Sequence, residues 1–401
     1  MFTVLAPLAL ASLLACPPTD PSGTPQERSG EVLLGAVADG AAPAPAAKRG
    51  GRPIDLCICL DTSGSMNGLI DAARSRLWDI VNDLALAKPT PRLRVALLSY
   101  GNTGHPAEKG WVKVETDFTD DLDLVSKALF ALTTNGGEEY VGRVLDTAAK
   151  ELTWTPSATG GATNEQPLQI VMVAGNESAD QDRTVSFRDA CRALIARGIV
   201  VNPIYCGPPD DDVAPGWREV ATLSDGHFAA IDQSVGALAI STPFDDDLAR
   251  LSAAINTTYL PYGDHGAWAA ENQTLQDSNA AMLNSATAAQ RCVSKGGELY
   301  SNERWDLVDA CKQADFKLES VKAEDLPESM RIMTPEQCKA HVAAMGAKRD
   351  ELKRQIADLG QKRQAFADAE SSKSAEAGRK TFGAAMREAL RAQAAARGFG
   401  W

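Results

Sequence analysis

Apolar positions along the chain fall into two regimes. Between residues 53 and 240, short runs that are apolar at nearly every position, IDLCICL, RLRVALLSY, LQIVMVA and IVVNPIYC, alternate with stretches whose apolar residues recur at helical spacing. Those stretches predict helices over about 68–87, 121–131 and 141–152 and in FRDACRALIARG. A run apolar on both of its faces predicts a strand buried between two layers. Alternation of such strands with helices predicts parallel pairing through crossovers. The expected fold is α/β, a doubly wound, mostly parallel sheet over 53–240.

Beyond about 242 the β-rich runs stop, and the pattern predicts helices over 245–259, 266–295, 303–315, 335–369 and 376–397. An all-α region is therefore expected to follow the sheet, as a helical domain over 241–330 and a helical-hairpin or coiled-coil-like tail over 331–401. In the fourth helix Cys338, Val342, Met345, Arg349, Leu352, Ile356, Leu359, Arg363 and Phe366 alternate at spacings of four and three, a heptad seam interrupted by two arginines. Charged seam positions disfavour a tight dimer. They favour a hairpin against the last helix, where Phe382, Met386 and Leu390 form an apolar stripe.

The first sixteen residues, MFTVLAPLALASLLAC, are apolar, too short to span a bilayer as a stable helix, and end in small residues, which is the pattern of an export signal. LLAC resembles the lipobox of bacterial lipoproteins, which implies lipidation of Cys16 and a membrane tether; simple secretion is the other reading. Residues 17–52 are dense in Pro, Gly and Ala and read as a flexible linker. The expected location is outside the cytoplasm, in a bacterial periplasm or cell envelope. A formal net charge of −13 opposes any electrostatic grip on nucleic acid.

Candidate chemistry begins where the first strand ends. In DTSGS, Asp61 is followed by Ser63 and Ser65 at alternate positions, with Gly64 allowing a tight turn. In a doubly wound fold, ligands bind at the carboxyl ends of the strands. One carboxylate and two hydroxyls form an oxygen cluster suited to a hard cation, Mg2+ or else Ca2+ or Mn2+. The competing reading is a turn in which Asp61 and Ser65 only cap the next helix.

CLDTSGSM resembles the D-x-S-x-S opening of a von Willebrand factor type A domain, where it starts the metal-ion-dependent adhesion site. The resemblance covers about 54–235 and implies a threonine from a second loop and an aspartate from a third. Set against TTNGGEEYVGRVL, the threonine position falls near Glu138 or Glu139, with Thr133 and Thr134 just upstream. Set against VAGNES, the aspartate position is Gly175, with Asn176 or Glu177 as substitutes. Both loops resemble those of bacterial envelope proteins that carry this domain. The family's site keeps few negative ligands, so that its metal can take an acidic residue from a partner. An added glutamate is expected to hold the cation more tightly and to attract a partner carboxylate less.

Catalysis lacks its parts. The four histidines, His105, His227, His265 and His341, form no metal pair by spacing, and there is no G-x-S-x-G elbow, P-loop or G-x-G-x-x-G. The expected function is a non-catalytic, metal-dependent protein-binding module for adhesion or assembly. The alternative is an envelope scaffold with a vestigial metal site that assembles through its C-terminal helices. An oxidising compartment permits disulfides, and Cys191–Cys206 and Cys292–Cys311 are the expected pairs, the first at a sheet edge and the second across a hairpin turning at Gly296-Gly297; the competing reading leaves all four reduced. Cys57 and Cys59 are expected to be buried small hydrophobes.

Overall fold

The computed structural model describes residues 51–157, 166–231, 240–374 and 382–401; Cys16, the leader, the linker up to residue 50 and the first residues of the last expected helix lie outside them. The chain runs β1 (Pro53–Asp61), α1 (Asn67–Ala85), β2 (Arg92–Tyr100), β3 (Lys113–Thr119), α2 (Leu122–Ala131), α3 (Val141–Glu151), β4 (Leu168–Gly175), α4 (Phe187–Ala196), β5 (Ile199–Tyr205), α5 (Ala214–Leu223) and β6 (Ala229–Ala230). The sheet order is β3-β2-β1-β4-β5-β6. β1 lies between β2 and β4 in parallel register, with β5 and β6 continuing in parallel and β3 antiparallel on the edge. This is the expected α/β, mostly parallel architecture. β3 escaped the sequence reading because KVETDFT, half-exposed at an edge, has no apolar run to betray it.

Side-chain parity sorts the sheet into two cores. Ile54, Leu56, Ile58 and Leu60 of β1 face α1 and α2, whereas Cys57 and Cys59 face the other way, toward α3, α4 and α5. Both faces are dry, so each fully buried Leu or Ile contributes about 1.5–3 kcal/mol. The two β1 thiols lie 3.7 Å apart in the second core and behave as the small hydrophobes expected.

The same parity overturns the sheet-edge disulfide. Cys206 falls on the α1 face and Cys191, on α4, on the opposite face, so the sheet itself separates them, and both are free. Cys292 and Cys311 are also free. Cys292 sits in α8 (Ser285–Gly296), buried against α6 (Asp245–Asn256) and α10 (Pro335–Ser374), while Cys311 is exposed at the end of α9 (Leu307–Ala310). α10 packs against both α8 and α9. The glycine turn serves that approach, since a Cβ on Gly296 would stand 2.7 Å from Ile356 Cγ2.

The single helix expected over 266–295 is two, α7 (Gly266–Leu283) and α8, broken at Asn284, whose side chain accepts from the Thr287 N–H. The region after the sheet packs onto it: Tyr300 and Trp305, in the connection between α8 and α9, join the first core, and the Arg291 guanidinium of α8 reaches Asp123 of α2 at 2.7 Å and Asp277 of α7 at 2.5 Å. The heptad seam of α10 is buried or half-buried intramolecularly from Cys338 to Arg363, and its last member, Phe366, is exposed. Its arginines meet buried acids: Arg349 pairs with Asp306 at 2.5 Å and stacks on Tyr259, and Arg363 pairs with Asp245 at 3.0 Å. The expected hairpin does not form, because α11 (Phe382–Ala396) lies instead along α1. There Met386, Leu390 and Ala394 enter the first core, Arg391 pairs with Asp83, and Gln393 exchanges hydrogen bonds with Asn202 of β5.

Candidate metal centre

Three loops converge at the carboxyl end of β1. Asp61 and Ser63 are buried and Ser65 is exposed. The Ser63 N–H donates to Asp61 Oδ1 at 2.8 Å, and the Ser63 and Ser65 hydroxyls lie 3.3 Å apart. Helix α1 begins at Asn67 behind Met66 with no side-chain cap, so the capping reading of Asp61 and Ser65 does not hold. Thr62 fastens this loop to β2, its N–H and hydroxyl both donating to the Tyr100 carbonyl at 2.8 and 2.9 Å.

The second loop is knitted over the first by Asn135 N–H to Thr62 O at 3.0 Å and Thr103 N–H to Gly136 O at 2.8 Å. It brings Glu139, but not Glu138, to Asp61: the charge of exposed Glu138 acts on Tyr140, whereas Glu139 is half-buried within hydrogen-bond reach of Ser63. The Thr134 hydroxyl turns away to Asn67 Oδ1 at 2.7 Å, and Thr133 is exposed.

From the third loop Asn176 Nδ2 donates to Ser65 Oγ at 3.3 Å, and the exposed Glu177 is held through its carbonyl, which accepts from Trp217 Nε1 at 2.7 Å. Gly175 cannot carry the side chain expected there, because its Cβ would enter the Tyr100 hydroxyl and stand 3.2 Å from Asp61 Oδ2. Tyr100 and Gly101 were missed by sequence reasoning. Gly101, at φ +74°, leaves room beside Asp61 that any side chain would fill. Its signal was a glycine directly after a strand at the ligand-binding end of the sheet.

Burial raises the Asp61 carboxyl from 3.8 to about 7, opposed by hydrogen bonds from Ser63 and reinforced by the charges of Glu139 and Glu177. Burial also raises Glu139. Among the described residues no basic side chain pairs with any of these three carboxylates, and Asp61 Oδ2 and Asn176 Oδ1 are buried without a hydrogen-bond partner. Two orphaned oxygens beside two hydroxyls and further carboxylates fit a hard cation. Among the described residues no cluster of three His, Cys, Asp or Glu that could hold a metal ion forms, so hydroxyl and amide oxygens would have to complete any cation site. His105 is engaged with Ser99 Oγ at 2.8 Å, which also donates to Glu115 at 2.6 Å.

Residues 55–238 match the family model of the von Willebrand factor type A domain. Solved structures similar to this chain include proximal thread matrix protein 1 from the mussel byssus, at 14% identity over 45% of this chain and 42% of that one, with a TM-score of 0.33. The same byssus protein with a zinc-occupied MIDAS motif matches at 15% identity over 45% of this chain and 41% of that one, with a TM-score of 0.34. The pilus adhesin SpaC from Lactobacillus rhamnosus GG, in an open conformation, matches at 11% identity over 59% of this chain and 30% of that one, with a TM-score of 0.33. The chain thus spans less than half the length of each of these proteins. No curated protein matches it. The three loops described above all lie inside the von Willebrand factor A match, and α6 to α11 lie beyond it.

Proposed function

We propose that the chain is an exported, non-catalytic binding module for a protein ligand in adhesion or assembly, whose type A domain depends for that binding on a bound Mg2+ or similar cation, with Ca2+ and Mn2+ as the alternatives. The observation that carries this reading is Asp61 Oδ2, an acceptor buried without a partner among oxygen donors. Asp61, Ser63 and Ser65 would hold the cation, with Glu139, Asn176 and Glu177 as further oxygen donors. The bound ion would neutralise these carboxylates and hold the three loops together at the head of the sheet, where a partner docks. Neither Ser63 nor Ser65 has a histidine beside it to act as a base, which supports a binding role over hydrolysis. The apolar leader and lipobox-like LLAC support export with a tether at Cys16.

Gly175 and its filled neighbourhood favour the second reading, a scaffold whose metal site is vestigial. Calorimetric titration of the purified protein with Mg2+ separates the two. Saturable binding that Asp61→Ala abolishes supports the cation reading, and no heat beyond dilution rejects it. For the tether, Cys16→Ala is expected to release the protein from the membrane fraction.

A further inference from the structure

The close approach of Gly101 shows which acidic side chain of the second loop lies beside Asp61. A Cβ built there would stand 2.8 Å from Asp61 Oδ1, 3.0 Å from Glu139 Cγ and 3.6 Å from Ser63 Cβ. Glu139 is therefore packed beside Asp61 and Ser63, and its carboxylate is within hydrogen-bond reach of Ser63. Glu139 does not arrive there by chance rotation of a loose loop. A Cβ on Gly137 would stand 2.5 Å from the Gly101 carbonyl, so the two loops touch backbone to backbone. The Glu139 N–H donates to Gln181 Oε1 at 3.2 Å, tying the second loop to the segment after β4. The Thr134 hydroxyl, a neutral oxygen of the same loop, donates to Asn67 Oδ1 at 2.7 Å.

Resting on the cation reading above, we infer that Glu139 is a built-in ligand, so that the site closes round its cation without an acidic residue from a partner. Two carboxylates already balance a divalent ion, and Glu177 adds a third negative charge nearby. A carboxylate arriving from outside would meet a site whose formal charge is already balanced, and so would be attracted less. The partner would then be recognised by the loops around a pre-filled site rather than by coordination, and it would not present an aspartate or glutamate to the metal.

Mn2+ serves as the probe, followed by calorimetry and by water-proton relaxation, with acetate as a free carboxylate. The wild-type chain is expected to bind Mn2+ with no added acid, and 50-fold excess acetate over protein is expected to leave its apparent Kd within twofold. Glu139→Gln is expected to weaken binding about tenfold or more and to raise the relaxivity of the bound ion as water replaces the carboxylate. In Glu139→Thr, acetate is expected to tighten Mn2+ binding severalfold. Unchanged affinity and relaxivity in Glu139→Gln, or acetate tightening the wild type as strongly as Glu139→Thr, overturns the inference while leaving the cation reading intact. Failure of the wild type to bind Mn2+, or equal binding by Asp61→Ala, removes both. Melting in EDTA checks that each variant is folded, and the relaxivity of the wild-type complex gives an answer even if one variant is not.

Discussion

Replacing Asp61 by Asn should change stability in opposite directions with and without metal. In the metal-free protein, raising this carboxyl from 3.8 to about 7 corresponds to a penalty of about 4 kcal/mol on the ionised form at pH 8, at about 1.4 kcal/mol per pH unit. The native state then binds more protons than the unfolded state between those values, so the Asp61 contribution to stability falls as pH rises from about 4 to about 7 and is fully lost above. Asn keeps the acceptor for the Ser63 N–H and removes the charge, although its amide is still desolvated. A gain of about 2 kcal/mol in EDTA at pH 8 is expected, shrinking toward zero near pH 4. With Mg2+ at about 100 times its Kd, the wild type gains about 2.7 kcal/mol by mass action and the variant gains almost nothing. Differential scanning fluorimetry at pH 4, 6 and 8, in EDTA and in Mg2+, reads this as a crossing of the two melting curves, at roughly 2 °C per kcal/mol. A variant less stable than wild type in EDTA at pH 8, or one stabilised by Mg2+ as much as wild type, refutes the reasoning.

Gly175→Asp, which restores the residue expected of the family, should destabilise by about 3 kcal/mol because its Cβ enters the Tyr100 hydroxyl; Tyr100→Phe combined with it should recover part of that loss in urea melts. Arg349→Met strands Asp306, which is fully buried, and should cost about 3–5 kcal/mol, whereas adding Asp306→Asn should return most of it. A cost below 1 kcal/mol for the single variant would mean that the pair is solvated. Among the described cysteines only Cys311 is exposed, so one thiol should react with a disulfide reagent in the native protein and the buried six only after unfolding. Peptide mapping that finds Cys191 bonded to Cys206 would contradict the two-core arrangement.

The period of the apolar pattern was enough to read the doubly wound sheet and the helical region after it, because burial on two faces or on one stripe leaves its spacing in the chain. DTSGS was legible as a candidate site for a similar reason, since its donors are neighbours on one loop. The rest depended on which elements meet. Sequence spacing placed Cys191 and Cys206 near one edge, but the alternation of β5 and the side of the sheet taken by α4 put them on opposite faces. The apolar stripe of α11 named no partner, since its spacing says only that one face is covered; in the fold that face meets the first core, with Arg391 paired to Asp83 of α1 and Gln393 bonded to Asn202 of β5. Arg349 and Arg363 read as interruptions of a seam until buried carboxylates were found opposite them. Glu138 and Glu139 were indistinguishable in sequence. The backbone contact of Gly137 on Gly101 and the bond from the Glu139 N–H to Gln181 place Glu139 beside Asp61, since a carboxylate's neighbours are set by loops that come together in the fold rather than by its place in the chain.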